Sequence, residues 1–339
     1  MTDQPTQDSE TRSQPDITRE VLAPYLDAHV PDCGDLTGIE KFGTGQSNPT
    51  YRLDCATGRY VLRAQPKGVL LKSAHAVDRE FRVMRALAET DVPVPGMIHL
   101  AGADSPLGRA FYIMEFLEGR IFWDPALPDQ PRAERAAIYG DMNRVLAALH
   151  EVDIVSVGLE DYGRAGSYYE RQFTRWSKQY RASELTPRPE MDRLMDWLGT
   201  AMPPDDGVVS LVHGDWRIDN LMFHPSEPRI IGVLDWEIST LGHPIADLAY
   251  QCMQWRLPNA GAMRGLGGID RAAQGLPDEA AYVAQYCERR GLPGVGNWPF
   301  YLAFSFFRLI AILQGVVRRA HDGNASNPER AQQMEAAIP

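Results

Sequence analysis

The sequence lacks the excess of basic residues that most nucleic-acid-binding proteins carry. Its 339 residues include 34 lysines and arginines against 45 aspartates and glutamates, a formal net charge of −11 at pH 7. Because a nucleic-acid footprint needs a basic patch or stripe, we expect no nucleic-acid partner. The overall charge does not describe a single pocket, so it leaves the class of small-molecule ligand open.

Cysteine is also scarce. The four cysteines, Cys33, Cys55, Cys252 and Cys287, are far apart and show no metal-ligand spacing. We therefore expect four free thiols in a reducing cytoplasm. No secretory signal is visible, because residues 1–15 are polar, and we expect them to form a disordered tail.

Long apolar runs are rare. The segment WPFYLAFSFFRLIAILQGVV, at 298–317, has the length of a membrane span. Arg308 and Gln314 interrupt it, and an arginine at mid-span costs about 2.5–3.5 kcal/mol on membrane-insertion scales. We predict instead a helix buried in a large lobe, with Arg308 paired internally and no membrane partner.

Short β-like runs dominate the first third of the chain. Turn-rich segments separate the first three of them, which predicts an antiparallel meander. Two amphipathic patterns predict helices on either side of this meander. The predicted elements are helices at 16–30 and 73–90, with Asp16 and Ser73 as N-caps, and strands at 36–42, 49–53, 60–64 and 110–119.

Helical periodicity dominates after Gly119. The sequence therefore predicts an α+β protein in which the tail at 1–15 precedes two lobes. The N-terminal lobe, 16–117, is built on an antiparallel sheet, and the C-terminal lobe, 118–339, is mainly helical. The helices predicted in the C-terminal lobe, besides the apolar one, lie at 134–152, 168–182, 191–202 and 246–255.

A β-hairpin interrupts the helical lobe. Residues 221–223 form a short apolar strand, 224–229 a turn with two prolines, and 230–234 the return strand. An antiparallel hairpin brings its open ends together, so Asn220 and Asp235 lie within reach of one ion. Amide and carboxylate oxygens are hard ligands that suit Mg²⁺.

The residues around this hairpin form a recognisable motif. His213, Asp215 and Asn220 spell H-x-D-x-x-x-x-N, the pattern of a kinase catalytic loop, and Asp235 follows where a kinase places a second magnesium ligand. Asp215 then orients the substrate hydroxyl. The alternative is that these polar residues serve only as turn and cap groups.

HGDWRIDN followed by VLDWE resembles the aminoglycoside phosphotransferase/choline kinase family, which has the protein-kinase-like fold. Within it, the chain is most similar to bacterial phosphotransferases related to the kinase domain of acyl-CoA dehydrogenase-linked proteins. The resemblance covers roughly residues 20–325. It implies ATP and Mg²⁺ as cofactors, a nucleotide-binding N-terminal lobe, and catalysis and substrate binding in the C-terminal lobe.

Glu80 carries a second prediction. Its neighbours on the predicted helix are Val77, Met84 and Leu87, so it lies in an apolar stripe and needs a partner. Arg63, which ends a strand, fits that role. In kinases a lysine at this position pairs with a helix glutamate and contacts the nucleotide phosphates. Arginine departs from that pattern but binds phosphate bidentately; a purely structural ion pair is the alternative.

Other nucleotide contacts depend on weaker signals. FGTGQSN, at 42–48, retains Gly43 and Gly45 of a glycine-rich phosphate loop, with Asn48 in place of the third glycine, but it equally fits a hairpin turn. The predicted nucleotide-binding residues of this loop include Ser47. By resemblance alone, the connector after the last strand offers backbone groups to adenine through Met114, Glu115 and Phe116.

Three further residues flank the predicted catalytic loop. Arg217 matches a kinase cation that meets the charge of the transferring phosphoryl group, although exposed arginines are common. His213 is interpreted as a packing and hydrogen-bonding residue rather than a base. Asp247 resembles the acid at a helix start that braces the catalytic loop, with a simple helix N-terminal charge as the alternative.

These features predict a small-molecule kinase whose substrate carries a hydroxyl group. The related branch suggests a hydroxy acid or hydroxyacyl compound, with an aminoglycoside or choline as alternatives. Residues 255–300 hold few acids, which disfavours a polycationic antibiotic. A nucleotide-binding regulator without transfer activity is the rival from another class, favoured only by Arg63.

Overall fold

The computed structural model describes residues 17–43, 48–67, 76–261 and 263–322. They form two compact units. The first contains the described residues up to Arg82 together with Gly96–Phe116, and the second contains Val83–Pro95 and the described residues from Leu117 onward. The tail predicted at 1–15 and the predicted caps Asp16 and Ser73 lie outside the described residues.

The first unit is an antiparallel sheet packed on one helix. The strand order is β1-β2-β3-β5-β4, and the meander predicted for the first three strands is confirmed. Leu22 and Leu26 of α1 pack into a core with Leu53, Leu62 and Phe111 of the sheet. The elements are α1 Arg19–His29, β1 Leu36–Lys41, β2 Thr50–Cys55, β3 Gly58–Ala64, α2 Val77–Leu87, which continues into the second unit, β4 Met97–Ala101 and β5 Phe111–Glu115.

The prediction of four free thiols is wrong for two of them. Cys33 and Cys55 form a disulfide, whereas Cys252 and Cys287 are free and buried. The antiparallel register pairs Leu36 with Cys55, which brings the end of β2 beside the short turn that contains Cys33. Sequence spacing alone could not reveal this, because the two cysteines are 22 positions apart and meet only when the β1–β2 hairpin folds back.

The second unit is mainly helical, with two small antiparallel sheets, β6-β8-β9 and β10-β7. The shortest of these strands have only two or three residues and no periodicity that a sequence could show. The elements are β6 Arg120–Ile121, α3 Arg132–Glu151, α4 Tyr168–Ser183, α5 Pro189–Ala201, β7 Ser210–Val212, β8 Leu221–Phe223, β9 Ile230–Val233, β10 Thr240–Gly242, α6 Ile245–Gln254, α7 Arg271–Gln274, α8 Glu279–Arg289 and α9 Trp298–His321.

The apolar segment forms α9, which packs against α4, α5 and α6. In the described part of the chain it alone is long and apolar enough to cross a membrane, and 67% of its most apolar stretch is buried in the protein. Arg308 is buried and donates a hydrogen bond within the unit. The predictions of a buried helix and an internally paired arginine are therefore confirmed.

Candidate active site

The hairpin of β8 and β9 brings the predicted metal ligands to one place. Leu221 pairs with Val233, and the Leu234 N–H donates to the Asn220 carbonyl at 2.9 Å. Asp235 is the next residue, so it lies beside Asn220 at the open end of the hairpin. The predicted juxtaposition follows from this register.

Side chains and backbone of the same unit hold the hairpin in place. The Asp141 carboxylate accepts the Ile230 N–H at 2.7 Å, and Arg120 donates to the His224 and Glu227 carbonyls of the turn. The Val233 N–H donates to the Pro93 carbonyl at 2.8 Å. These bonds order the strands that carry Asn220 and Asp235.

Asp215 is held by two neighbours in the loop between β7 and β8. The Asn220 side-chain amide donates to the Asp215 carbonyl at 2.9 Å and to its carboxylate at 3.0 Å. The Asp215 N–H donates to Nδ1 of His213 at 3.2 Å, and Nε2 of that ring bonds the Leu234 carbonyl at 2.8 Å. Because both nitrogens of the buried His213 are used, the ring orders the loop, in line with its interpretation as a packing residue.

Asp247, near the start of α6, holds the main chain of the same loop. Its carboxylate is fully buried and accepts the His213 N–H at 2.7 Å and the Gly214 N–H at 2.8 Å. Burial acts to raise the pKa of Asp247, but the hydrogen bond from His150, with further contributions from His213 and the Gly214 N–H, holds it below its ordinary value. The carboxylate thus stays ionised and braces the loop.

Two backbone conformations in this region are unusual. Gly214 has φ +86°, and a Cβ there would meet the Ile238 carbonyl oxygen at 2.9 Å, so the loop requires glycine. Asp235 has φ +62° without being glycine. The left-handed conformation is uncommon for non-glycine residues, although aspartate adopts it more readily than most, and positions of this kind cluster at functional sites.

Arg217 does not extend freely from the loop. Its guanidinium binds Asp219 bidentately, with donor–acceptor distances of 2.9 and 2.7 Å. Burial alone lowers the pKa of Arg217, but the charges of Asp219 and Asp215 raise it above its usual range. The residue therefore stays charged beside Asp215, and its contact with a phosphoryl group stays a prediction.

In the first unit, Glu80 of α2 is the centre of a buried network. Its carboxylate is 1% exposed and lies 3.0 Å from Nε of Arg63 on β3, so the predicted ion pair is present. It also accepts bonds from the Asn48 amide at 2.8 Å and the Tyr112 hydroxyl at 3.1 Å. Sequence reasoning missed both of these partners, because no local pattern links them to Glu80.

The other predicted nucleotide-binding residues are less informative. Gly43 is exposed, whereas Gly45 and Ser47 lie outside the described residues. The Glu115 N–H donates to the Gly96 carbonyl at 2.8 Å, so that donor is used inside the unit. Phe116 stacks under Arg59, at 4.7 Å from the guanidinium carbon. The nucleotide roles of these residues stay predictions.

The residues present fit a magnesium ion. Hydrogen bonding to Asp215 holds the amide nitrogen of Asn220, which turns its amide oxygen away from that carboxylate. Together with the Asp235 carboxylate this gives two hard oxygen donors. Among the described residues no group of three His, Cys, Asp or Glu side chains could hold a metal. Mg²⁺ needs only a small number of protein ligands, because it keeps several waters and takes oxygens from the nucleotide phosphates.

A cavity of about 230 Å³ in the second unit lies away from these residues. It is lined by tyrosines, Asp205, Asp206 and His243, and none of Asp215, Asn220 or Asp235 contributes. β10 runs antiparallel to β7. His243, which follows β10, therefore lies at the opposite end of this strand pair from the loop that follows β7 and carries Asp215. The cavity is therefore separate from the predicted catalytic loop.

Comparisons with known proteins agree on one family. The model of the phosphotransferase enzyme family matches residues 38–288. Acyl-CoA dehydrogenase family member 10 from Mus musculus is 47% identical over 288 residues, which cover 85% of this chain but 27% of that protein. The chain spans between 27% and 42% of the length of the curated relatives it matches.

Solved structures share the fold. A Ralstonia eutropha structure, provisionally assigned as an aminoglycoside phosphotransferase, is 50% identical, with a TM-score of 0.85 and 95% of each chain covered. A ternary complex of the aminoglycoside phosphotransferase APH(4)-Ia with ADP and hygromycin B has a TM-score of 0.59 at 16% identity, covering 94% of this chain and 97% of that one. The predicted α+β, protein-kinase-like fold is confirmed.

Proposed function

The chain belongs to the phosphotransferase enzyme family, and we propose that it transfers the terminal phosphoryl group of ATP to a hydroxyl of a small molecule, with Mg²⁺. One observation carries the proposal. Asn220 holds the Asp215 carboxylate, and Asp247 fixes the backbone of the same loop. Asp235, whose backbone is in the left-handed conformation, lies beside Asn220. Phosphoryl transfer is catalysed mainly by such positioning and by charge stabilisation.

Each residue of the second unit has a distinct role in this proposal. Asp215 binds the acceptor hydroxyl, orients its oxygen and takes its proton. The Asn220 amide oxygen and the Asp235 carboxylate hold Mg²⁺, which when bound neutralises charge on the phosphates. Arg217 is kept charged beside Asp215, and it stabilises the negative charge of the phosphoryl group during transfer.

The first unit binds the nucleotide in this proposal. The Glu80 carboxylate fixes the guanidinium of Arg63, and Asn48 and Tyr112 fix the carboxylate in turn. An arginine held in this way has a defined orientation, and a guanidinium binds phosphate oxygens bidentately. The complex of APH(4)-Ia with ADP supports adenine nucleotide as the donor.

The acceptor that we propose is a hydroxy acid or a hydroxyacyl compound. A polycationic aminoglycoside needs acids that are open to it, yet Asp270 and Asp278 cap helices, and Glu279 binds Arg256 and Trp298. These three carboxylates are already used, and Glu288, the fourth acid of residues 255–300, is exposed on α8. Relatives that are 41–48% identical are named as acyl-CoA dehydrogenases, and this supports an acyl compound as the acceptor.

The test is a transfer assay with paired variants. Purified protein is incubated with Mg-ATP and a panel of hydroxy acids, their coenzyme A thioesters, choline and an aminoglycoside, and ADP release and the mass of the product are measured. We expect a hydroxy acid or thioester to be phosphorylated. Asp235→Ala should lose magnesium-dependent nucleotide binding and turnover, whereas Asp215→Asn should bind nucleotide normally but lose at least about 10²-fold in kcat.

Asp196→Asn is the matched control, since Asp196 is exposed on α5. It should behave as the wild type in both assays. Full activity of Asp235→Ala contradicts the metal assignment. A wild-type protein that binds ATP but phosphorylates no compound of the panel contradicts the proposed transfer and favours a nucleotide-binding regulator.

A further inference from the structure

Arg308 is a buried cation in the mainly apolar central part of α9. It lies in the middle of α9, where it is 5% exposed and flanked by Phe307 and Leu309. A charge in such surroundings is costly unless it is paired and hydrogen-bonded. An arginine placed there needs an explanation beyond helix packing, which a leucine or methionine would serve as well.

The contacts of Arg308 lead to the predicted catalytic loop. Its Nη2 donates a hydrogen bond to the Gly214 carbonyl, 94 residues away in sequence. The guanidinium carbon lies 5.0 Å from the ring centre of Tyr250 and 5.8 Å from that of Trp176. Aromatic faces on α6 and α4 thus stabilise the cation while it holds one carbonyl.

Gly214 is consequently held through both of its polar backbone groups. Its N–H donates to Asp247 at 2.8 Å, and its carbonyl accepts from Arg308. The residue has φ +86° and directly precedes Asp215. A rotation of the peptide between Gly214 and Asp215 would displace the Asp215 side chain, so the Arg308 bond bears directly on that carboxylate.

Tyr250 supports the same cation from α6. Its side chain is 3% exposed, and the Arg308 guanidinium carbon lies 5.0 Å from its ring centre, so the aromatic face stabilises the cation that holds the Gly214 carbonyl. Burial, followed by the charge of Asp215, raises the pKa of Tyr250 above its ordinary value, so the phenol stays protonated.

We propose that Arg308 is a positioning residue for Asp215. It fixes the Gly214 carbonyl, and so sets the direction in which the Asp215 carboxylate meets the acceptor hydroxyl. The catalytic part of this inference rests on the proposed function. The structural part, an ordering of residues 213–216 by Arg308, does not.

The experiment compares Arg308→Met with Arg308→Lys. Met removes the charge and the donor, whereas Lys keeps a cation that can donate to the Gly214 carbonyl. Amide hydrogen exchange of the peptide spanning 211–217 is measured by mass spectrometry, together with kcat for the best acceptor of the panel, ADP release with water as acceptor, and affinity for Mg-AMP-PNP.

We expect Arg308→Met to exchange at least about tenfold faster in residues 213–216. Its kcat should fall by about 100-fold with unchanged Mg-AMP-PNP affinity, because a small misplacement of a reacting group costs that much. Arg308→Lys should recover most of both losses. Tyr250→Phe, which keeps the ring under the cation, should leave exchange in the loop unchanged.

Arg319→Met is the matched control, since Arg319 is exposed on the same helix. If Arg308→Met exchanges and turns over like Arg319→Met, the proposal is wrong. It is also wrong if exchange rises equally in the first unit, which would indicate general destabilisation. If the wild type turns over no acceptor and does not hydrolyse ATP, the proposed function fails, and loop exchange alone decides the role of Arg308.

Discussion

The two units hold their most buried polar groups in different ways. In the first unit, Glu80 is bound by the side chains of Arg63, Asn48 and Tyr112. In the second unit, the buried Asp247 binds the backbone N–H groups of the predicted catalytic loop as well as the His150 ring. The first arrangement joins only side chains, whereas the second also joins a side chain to the main chain.

This difference determines what substitution can restore. A side-chain ion pair can be replaced as a pair, because well-packed apolar residues of similar size are often as stable as the buried charges. A backbone N–H cannot be replaced, so the loss of its only partner leaves a buried donor unsatisfied. We therefore expect compensation in the first unit and none at Asp247.

The largest effect is expected for Asp247→Ala. It leaves the N–H groups of His213 and Gly214 buried without their acceptor, each at about 1–3 kcal/mol, so the free energy of unfolding should fall by roughly 4 kcal/mol. Denaturant unfolding followed by fluorescence measures it. Asp196→Ala, on an exposed position, should change stability by less than about 0.5 kcal/mol. A loss equal to that of the control would remove the distinction between the units.

A smaller effect is expected for Glu80→Gln. It leaves the Arg63 guanidinium beside a neutral amide, which should cost about 3 kcal/mol, the lower end for a broken buried pair, since Arg63 is 15% exposed. Differential scanning calorimetry and Mg-AMP-PNP titration measure stability and nucleotide affinity of the same sample.

The double variant Arg63→Met, Glu80→Met sharpens the comparison. Its stability should recover the part that the unpaired guanidinium costs, although the Asn48 amide and the Tyr112 hydroxyl still lose their Glu80 acceptor, and its nucleotide affinity should not return. Recovery of both would mean that the pair is structural and that nucleotide binding does not depend on Arg63. Recovery of neither would mean that the first unit is as intolerant of replacement as the Asp247 site.

The smallest effect is a pH dependence. Burial lowers the pKa of His150 in spite of the Asp247 hydrogen bond, whereas the unfolded chain has an ordinary histidine near pH 6.5. Below that pH the unfolded state binds a proton that the native state does not. Stability therefore falls as pH decreases, by at most about 1.4 kcal/mol per pH unit from this residue.

Urea unfolding between pH 7 and 5 measures how the free energy of unfolding depends on pH. His150→Gln should make this dependence less steep. His99 in the first unit is the matched comparison. Partial burial also lowers its pKa, but it is less enclosed and bonds the Tyr25 hydroxyl, so His99→Gln should reduce the slope less. A larger change from His99 would contradict the view that the second unit encloses its polar groups more completely.

Much of the fold could be predicted because its signals are local. Periodicity of 3.6 residues identified α3, α4, α5 and α6, and apolar runs between turns identified β1, β2 and β3. Strands β4, β6, β7 and β10 were missed. They are two to five residues long, and their pairing partners rather than their own sequences make them strands.

The segments HGDWRIDN and VLDWE flank a hairpin, and a hairpin brings its ends together whatever surrounds it, so this part of the site follows from the amino-acid order alone. The same is true of the apolar stripes that contain Glu80 and Arg308 and of their need for partners. The identity of these partners, and the bond between Cys33 and Cys55, depend on tertiary packing. Spacing within one element sets which side chains share a face, whereas contacts between distant segments depend on how whole elements pack.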